Sequence, residues 1–152
     1  MNCWDVSAIT DMSYLFNWQS SMNENIGCWD VSNVTLMNNM FYQATSFNQF
    51  IGEWDVSNVK SMSQMFMYAS SFNQDISLWN TSHVQDFSYM FYGTTLFNQT
   101  LCNWFQHIPN NNPYIYSMFI NSGCTMKFDP NLITKVHFCN QCPFPVVKSG
   151  KY

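Results

Sequence analysis

The chain has 152 residues, 47% of them hydrophobic, which is enough to bury one substantial core and fits one domain better than two. Only 9% of the residues are charged, against roughly 25% in ordinary soluble proteins, so neutral polar side chains must carry solubility. The net charge of -4, with four of the five basic residues beyond position 126, excludes a phosphate-binding surface, and Lys148 and Lys151 read as a solvated tail.

The opening "MNCWDVSAIT" has neither the basic start nor the apolar run of a secretory signal, and no stretch is long and apolar enough to span a bilayer. It starts inside a repeat, which suggests a mature or excised segment of a longer precursor. Tryptophans stand at Trp4, Trp29, Trp54, Trp79 and Trp104, each 25 residues after the last. The motif "WDVS" (with "WNTS" at Trp79) recurs with them, followed by Phe16, Phe41, Phe66 and Phe91 and then by an apolar residue before Asn23, Asn48, Asn73 and Asn98.

A fixed period of this length predicts a solenoid whose neighbouring units complete one core. In "VTLMNNMF", Val34, Met37, Met40 and Phe41 fall on a helical stripe after the capping residues Ser32 and Asn33, which predicts one short helix per coil. Residues 47–54, with Gly52 among them, predict a short strand with a bend. The expected fold class is therefore an α/β repeat solenoid, with one short parallel strand and one short helix per 25-residue coil. Residues 1–104 form the solenoid and 105–152 a degenerate last coil and cap. The tryptophans and Phe16, Phe41, Phe66 and Phe91 are its expected buried columns, with regularly placed methionines filling gaps.

The unit "WDVSNV…M..MF..A.SFNQ.I..W" resembles the BspA-type leucine-rich-repeat surface proteins, in the branch with Trp-Asp-Val-Ser-Asn-Val and Met-Phe signatures. The resemblance covers about residues 3 to 104 and weakens through Phe119. It implies a right-handed, leucine-rich-repeat-like solenoid, secreted or displayed on a surface and used in adhesion, binding or coats. It carries over no catalytic residues.

After Trp104 the period fails. A proline-bracketed loop leads to Met118-Phe119, a displaced fifth helix, and then to a cap with a strand over residues 132–138. Of the six cysteines, Cys3 and Cys28 each precede a tryptophan and sit one rung apart, so they are expected to pair. Cys102, Cys124, Cys139 and Cys142 can staple the cap to the last coil, with their connectivity open. "CNQC" with Cys124 and His137 also has the ligand types of a zinc site, but a second paired knuckle is missing, and an even cysteine count favours disulfides.

Asp5, Asp30 and Asp55 form a column of the type that holds calcium in some solenoids. Capping of the following turn by accepted N–H bonds is the reading taken. Those equivalent carboxylates give no differentiated acid and base, and His83, His107 and His137 lack recurring partners, so no enzyme, cofactor or metal is expected. Sequons stand at Asn33, Asn80 and Asn98. Asn33 is the best glycosylation candidate, whereas Asn98 shares its position with a laddered asparagine column.

The functional expectation is an extracellular or cell-surface structural and adhesive repeat protein, a subunit of a head-to-tail surface fibre or coat that associates with copies of itself. The alternative is a surface recognition module that binds a glycan or protein through one solenoid face. Neither a nucleic acid partner nor a membrane span is expected.

Overall fold

The computed structural model describes residues 3–108, 113–130 and 137–142. Successive 25-residue units stack directly on one another, but the expected α/β class, with a strand and a helix in every unit, is not what the chain forms. Among the described residues the elements are one 3-10 turn, Cys102–Gln106, and a two-stranded antiparallel hairpin, β1 (His137–Phe138) and β2 (Asn140–Gln141). The predicted strand over residues 132–138 falls mainly outside the described residues.

The backbone donors show why the helix is missing. An α-helix needs each N–H to donate to the carbonyl four residues back. In the second unit the N–H groups of Met37, Asn39, Phe41 and Gln43 instead donate to the carbonyls of Ser61, Ser63, Met65 and Met67 in the third, at 2.9–3.0 Å. The intervening N–H groups of Met40, Tyr42 and Ala44 close turns onto Met37, Asn39 and Phe41. Asn39 (φ 56) and Gln43 (φ 55) occupy the third positions of turns 37–40 and 41–44, where positive φ is what a type II turn requires. The same two places recur at Tyr14 and Trp18, Gln64 and Tyr68, Tyr89 and Gly93, and Ser117 and Asn121. The segment is therefore a run of tandem turns whose alternate donors point along the stack.

The predicted strand fails for a related reason. Pairing between units reduces to isolated parallel bridges linking Asp11, Leu36, Ser61, Asp86 and Tyr114. Left-handed residues on one side keep this ladder one residue wide. Residues 47–54 also turn, with Trp54 N–H donating to Ile51 O at 3.1 Å. The bend at Gly52 is required by packing, because a Cβ there would lie 2.5 Å from the carbonyl oxygen of Asp75.

The core runs the length of the stack. Phe41, Phe66, Phe91 and Phe119 overlie one another with ring centroids 5.4–5.7 Å apart, and Phe47, Phe72 and Phe97 form a second column at 5.9 Å. Trp54, Trp79 and Trp104 form a third at 6.4–6.5 Å. Each indole of that column donates to a carbonyl 28 residues earlier: Trp54 to Ile26, Trp79 to Ile51 and Trp104 to Ile76, at 3.1–3.2 Å. The tryptophan is thus both filler and bolt, which is a physical reason for its strict recurrence. The first unit departs from the expected buried columns, since Trp4 is 77% exposed and Phe16 and Trp29 are only partly buried.

The fifth unit returns three residues late, its bridge falling at Tyr114 instead of position 111. Met118 O still accepts from Phe91 N–H, so Met118-Phe119 continues the stack as turns and not as a displaced helix. The Asp129 carboxylate accepts the N–H groups of Ser117 and Met118 at 3.0 and 2.9 Å, which caps donors on the fifth unit. Phe138 of β1 then covers Trp104, Phe105 and Phe119.

One core position carries a removable defect. Thr81 occupies the column of Val6, Val31 and Val56, is fully buried, and its hydroxyl has no partner among the described residues. Restoring the column residue with Thr81→Val is expected to stabilise the protein by about 1 kcal/mol, the order of cost of an unmet buried hydroxyl. An unchanged or lowered urea midpoint would contradict that assignment.

Candidate functional site

The side chains that line the outside of the tandem turns define one long face. Several side chains at the left-handed positions reach the surface, among them Tyr14, Trp18, Tyr68 and Tyr89. Trp18 packs on Tyr42 at 5.6 Å, Tyr42 on Tyr68 at 6.1 Å and Tyr68 on Tyr92 at 5.5 Å; Tyr92 also meets Tyr89 at 6.0 Å. These rings form a continuous aromatic ladder that crosses the first four units. Trp18 is 63% exposed, and Tyr14, Tyr68 and Tyr89 are exposed as well.

Contiguous aromatic surface of this kind is more informative than scattered exposed apolar residues. None of these side chains carries a formal charge at neutral pH, and Asn39, Gln43 and Gln64 interleave amides with them. Desolvation, and then the neighbouring Tyr92 phenol, push the Tyr68 phenol above its ordinary pKa. Gly93 makes room for the ladder. It has a φ of +70, and a Cβ there would fall 2.4 Å from the Tyr68 ring.

The residues singled out from the sequence lie mostly elsewhere. All six cysteines are paired, as Cys3–Cys28, Cys102–Cys142 and Cys124–Cys139. The zinc alternative at "CNQC" is thereby removed, since three of its ligands are bonded sulfurs; the His137 side chain lies outside the described residues. Asp5, Asp30 and Asp55 each accept the N–H of the serine two residues on, at 3.0–3.1 Å, and Asn80 does the same for Ser82. The hydroxyl and amide of Ser7 hold the Asp5 carboxyl below its ordinary pKa. Ser13 does so for Asp11, and Ser32 for Asp30, where desolvation and the Asp5 charge oppose the shift. Among the described residues no group of three or more His, Cys, Asp or Glu side chains comes together as a metal site.

The asparagine column is a ladder: Asn48, Asn73 and Asn98 N–H groups donate to the side-chain oxygens of Asn23, Asn48 and Asn73, each at 2.9 Å. Of the sequons, Asn33 uses its amide nitrogen to donate to Ser7 O at 2.9 Å, while Asn80 uses its oxygen. All three sequon asparagines are exposed. Asn58 and His83 repeat the Asn33 contact, each bonding the carbonyl 26 residues earlier, so His83 has a place in the stack.

The aromatic ladder was missed in the sequence because its members do not keep the 25-residue step. Trp18, Tyr42, Tyr68 and Tyr92 are separated by 24, 26 and 24 residues, a zigzag between two adjacent columns. That alternation is the signal that would have found it.

The fold and this face define a disulfide-bonded tandem-repeat protein with an aromatic ladder along one side. Residues 1–106 match the family described as "Mycoplasma protein of unknown function, DUF285", and the chain belongs to that family. No curated protein and no solved structure matches it.

Proposed function

We propose that the chain is a BspA-type surface protein, exported from the cell, that acts as an adhesive repeat module through its aromatic face. The observation that carries the reading is the ladder of Trp18, Tyr42, Tyr68 and Tyr92, ring on ring across four successive units. Tyrosine and tryptophan supply large, rigid, amphipathic contact area at low entropic cost, and mixed with amides they resemble the surfaces proteins use for recognition. Across the units the core keeps phenylalanine in the column of Phe16, Phe41, Phe66 and Phe91, whereas the column of Trp18, Gln43, Tyr68 and Gly93 changes at every step. A surface that varies over a constant core is what recognition needs. Export is supported by the pairing of all six cysteines, since disulfides persist in oxidising compartments. Among the described residues no helix is long and apolar enough to cross a membrane.

The test is adhesion of protein-coated beads to fixed animal cells. The double variant Tyr42→Ala/Tyr68→Ala is expected to lose most adhesion while still folding cooperatively, because neither side chain belongs to the buried core. Adhesion equal to the wild type would refute the assignment to this face. A fibre subunit would associate through the ends of the stack, so the same variant would leave fibre formation intact.

A further inference from the structure

We propose that the fourth unit, residues 79–103, is N-glycosylated at Asn80 and Asn98, and that the sugars cover two leucines which that part of the stack leaves bare. The inference rests on the export reading and adds a modification to it. The aromatic ladder plays no part.

The state of each sequon nitrogen gives the first constraint, because the sugar is joined to the side-chain nitrogen of the asparagine. At Asn33 that atom donates to Ser7 O, the contact between units that Asn58 repeats one step on. A sugar there would compete with a joint of the stack. Asn80 engages its oxygen alone, which accepts Ser82 N–H at 3.1 Å and leaves the nitrogen without a partner among the described residues. Asn98 ends the asparagine ladder. The side-chain oxygens of Asn23, Asn48 and Asn73 each accept the N–H of the asparagine 25 residues on, but among the described residues no such N–H comes to the side chain of Asn98. Of these four asparagines only Asn98 has a threonine, Thr100, two residues later.

The surface beside the two free asparagines gives the second. Leu78 and Leu96 stand two residues before Asn80 and Asn98, with a buried ring, Trp79 or Phe97, between, so each leucine shares the outer side with its asparagine. They are 81% and 59% exposed. The preceding units place Cys28 and Glu53 where Leu78 stands, and Ser21, Ser46 and Ser71 where Leu96 stands. Before Asn33 the corresponding residue is Val31, which is buried and needs no cover. Charge falls in the same unit: residues 79–103 hold Asp86 alone, whereas each of the three preceding units holds two or three charged side chains. Bare apolar side chains with little charge around them promote association. A bulky, hydrophilic oligosaccharide at Asn80 and Asn98 supplies the missing solubility.

The step is a group transfer. The asparagine nitrogen attacks the anomeric carbon of an oligosaccharide carried on a lipid diphosphate, the bond from that carbon to the diphosphate oxygen breaks, and the lipid diphosphate leaves with the electron pair. The nitrogen gives up one proton to a carboxylate of the transferase. This chain supplies only the acceptor.

The test is peptide mapping by mass spectrometry of the protein isolated from its source, before and after an amidase that strips N-linked glycans and leaves aspartate in place of asparagine. Sugar is expected on Asn80 and Asn98 and none on Asn33. Either of the two sites bare, in a protein whose six cysteines are paired, would overturn the glycans and leave export standing. Six free thiols would overturn export, and the glycans with it. Ser82→Ala/Thr100→Ala keeps both asparagines but removes both acceptor motifs, so the secreted variant is expected to self-associate, read as a several-fold rise in light scattering. Adding Leu78→Glu and Leu96→Ser, the residues of other units, is expected to return it to a monodisperse species. A sugar-free variant that scatters like the wild type would overturn the covering role.

Discussion

Replacing Phe66 with Ala is expected to destabilise the protein by about 3–5 kcal/mol, the range for truncating a fully buried aromatic residue. Phe66 is fully buried. Its ring lies between Phe41 at 5.4 Å and Phe91 at 5.7 Å, with Phe72 at 4.0 Å and Trp79 at 6.5 Å. The cavity cannot close by collapse. The neighbouring units are held at fixed separation by backbone bonds, Phe41 N–H to Met65 O and Phe66 N–H to Met90 O, at 2.9 and 3.0 Å. Both the transfer and the cavity contributions are therefore incurred in full.

Phe16→Ala is the internal comparison. Phe16 holds the same place in the first unit, but it is only partly buried and its column contact is with Phe41 alone, at 5.5 Å. Its loss should cost clearly less than that of Phe66. Urea unfolding of both variants gives the comparison directly. Equal losses, or a loss at Phe66 of under about 1 kcal/mol, would mean that the column is not a close-packed core.

What the sequence made legible was the period and the partners it creates. Trp54, Phe41 and Asn48 each meet the residue 25 positions on, and Cys3 meets Cys28. These follow from translation alone: once one unit stacks on the next, equivalent side chains must meet. Local conformation was not legible. Val34, Met37, Met40 and Phe41 recur at three- and four-residue steps, which tandem four-residue turns produce as readily as a helix does. The deciding feature is positive φ at residues such as Trp18, Gln43, Gln64 and Tyr68. Large L-residues rarely adopt that conformation, and of these places Gly93 alone is a glycine, so the sequence does not mark it as a repeating feature. It is sustained here by donors aimed at the adjacent unit, a tertiary cause that no window of one unit contains. The aromatic ladder depends on the same turns, because they set neighbouring columns close enough for Tyr42 to touch both Trp18 and Tyr68. A reading that compares only equivalent positions cannot see it.

Removing the Cys102–Cys142 bridge is expected to lower stability more than removing Cys3–Cys28, although loop length alone would rank them nearly equal. Their separations are 40 and 25 residues, for which unfolded-chain entropy gives about 4 and about 3.5 kcal/mol. The difference comes from what each bridge holds in the folded state. Cys142 follows β2, and its bond to Cys102 fixes the hairpin against the 3-10 turn that carries Trp104 and Phe105. Without it, Phe138 loses its tether over Trp104, Phe105 and Phe119, and the end of the aromatic core opens to water. The Cys124–Cys139 bridge anchors the same hairpin at Cys139, between β1 and β2, so the two should couple, and losing both should differ from the sum of the single losses. Cys3–Cys28, by contrast, joins the first unit to the second where Trp4 is already exposed and Phe16 only partly covered. In a stack whose stability is a sum of nearest-neighbour contacts, losing that bond frays one unit and leaves the remaining contacts in place. The check is urea unfolding of the paired alanine variants, Cys3→Ala/Cys28→Ala and Cys102→Ala/Cys142→Ala, followed by tryptophan fluorescence. The second pair should shift the main transition and expose Trp104, and the first should add a small early phase. A main transition shifted equally by both would show that the stack unfolds as one unit and that its first unit is as firmly held as its last.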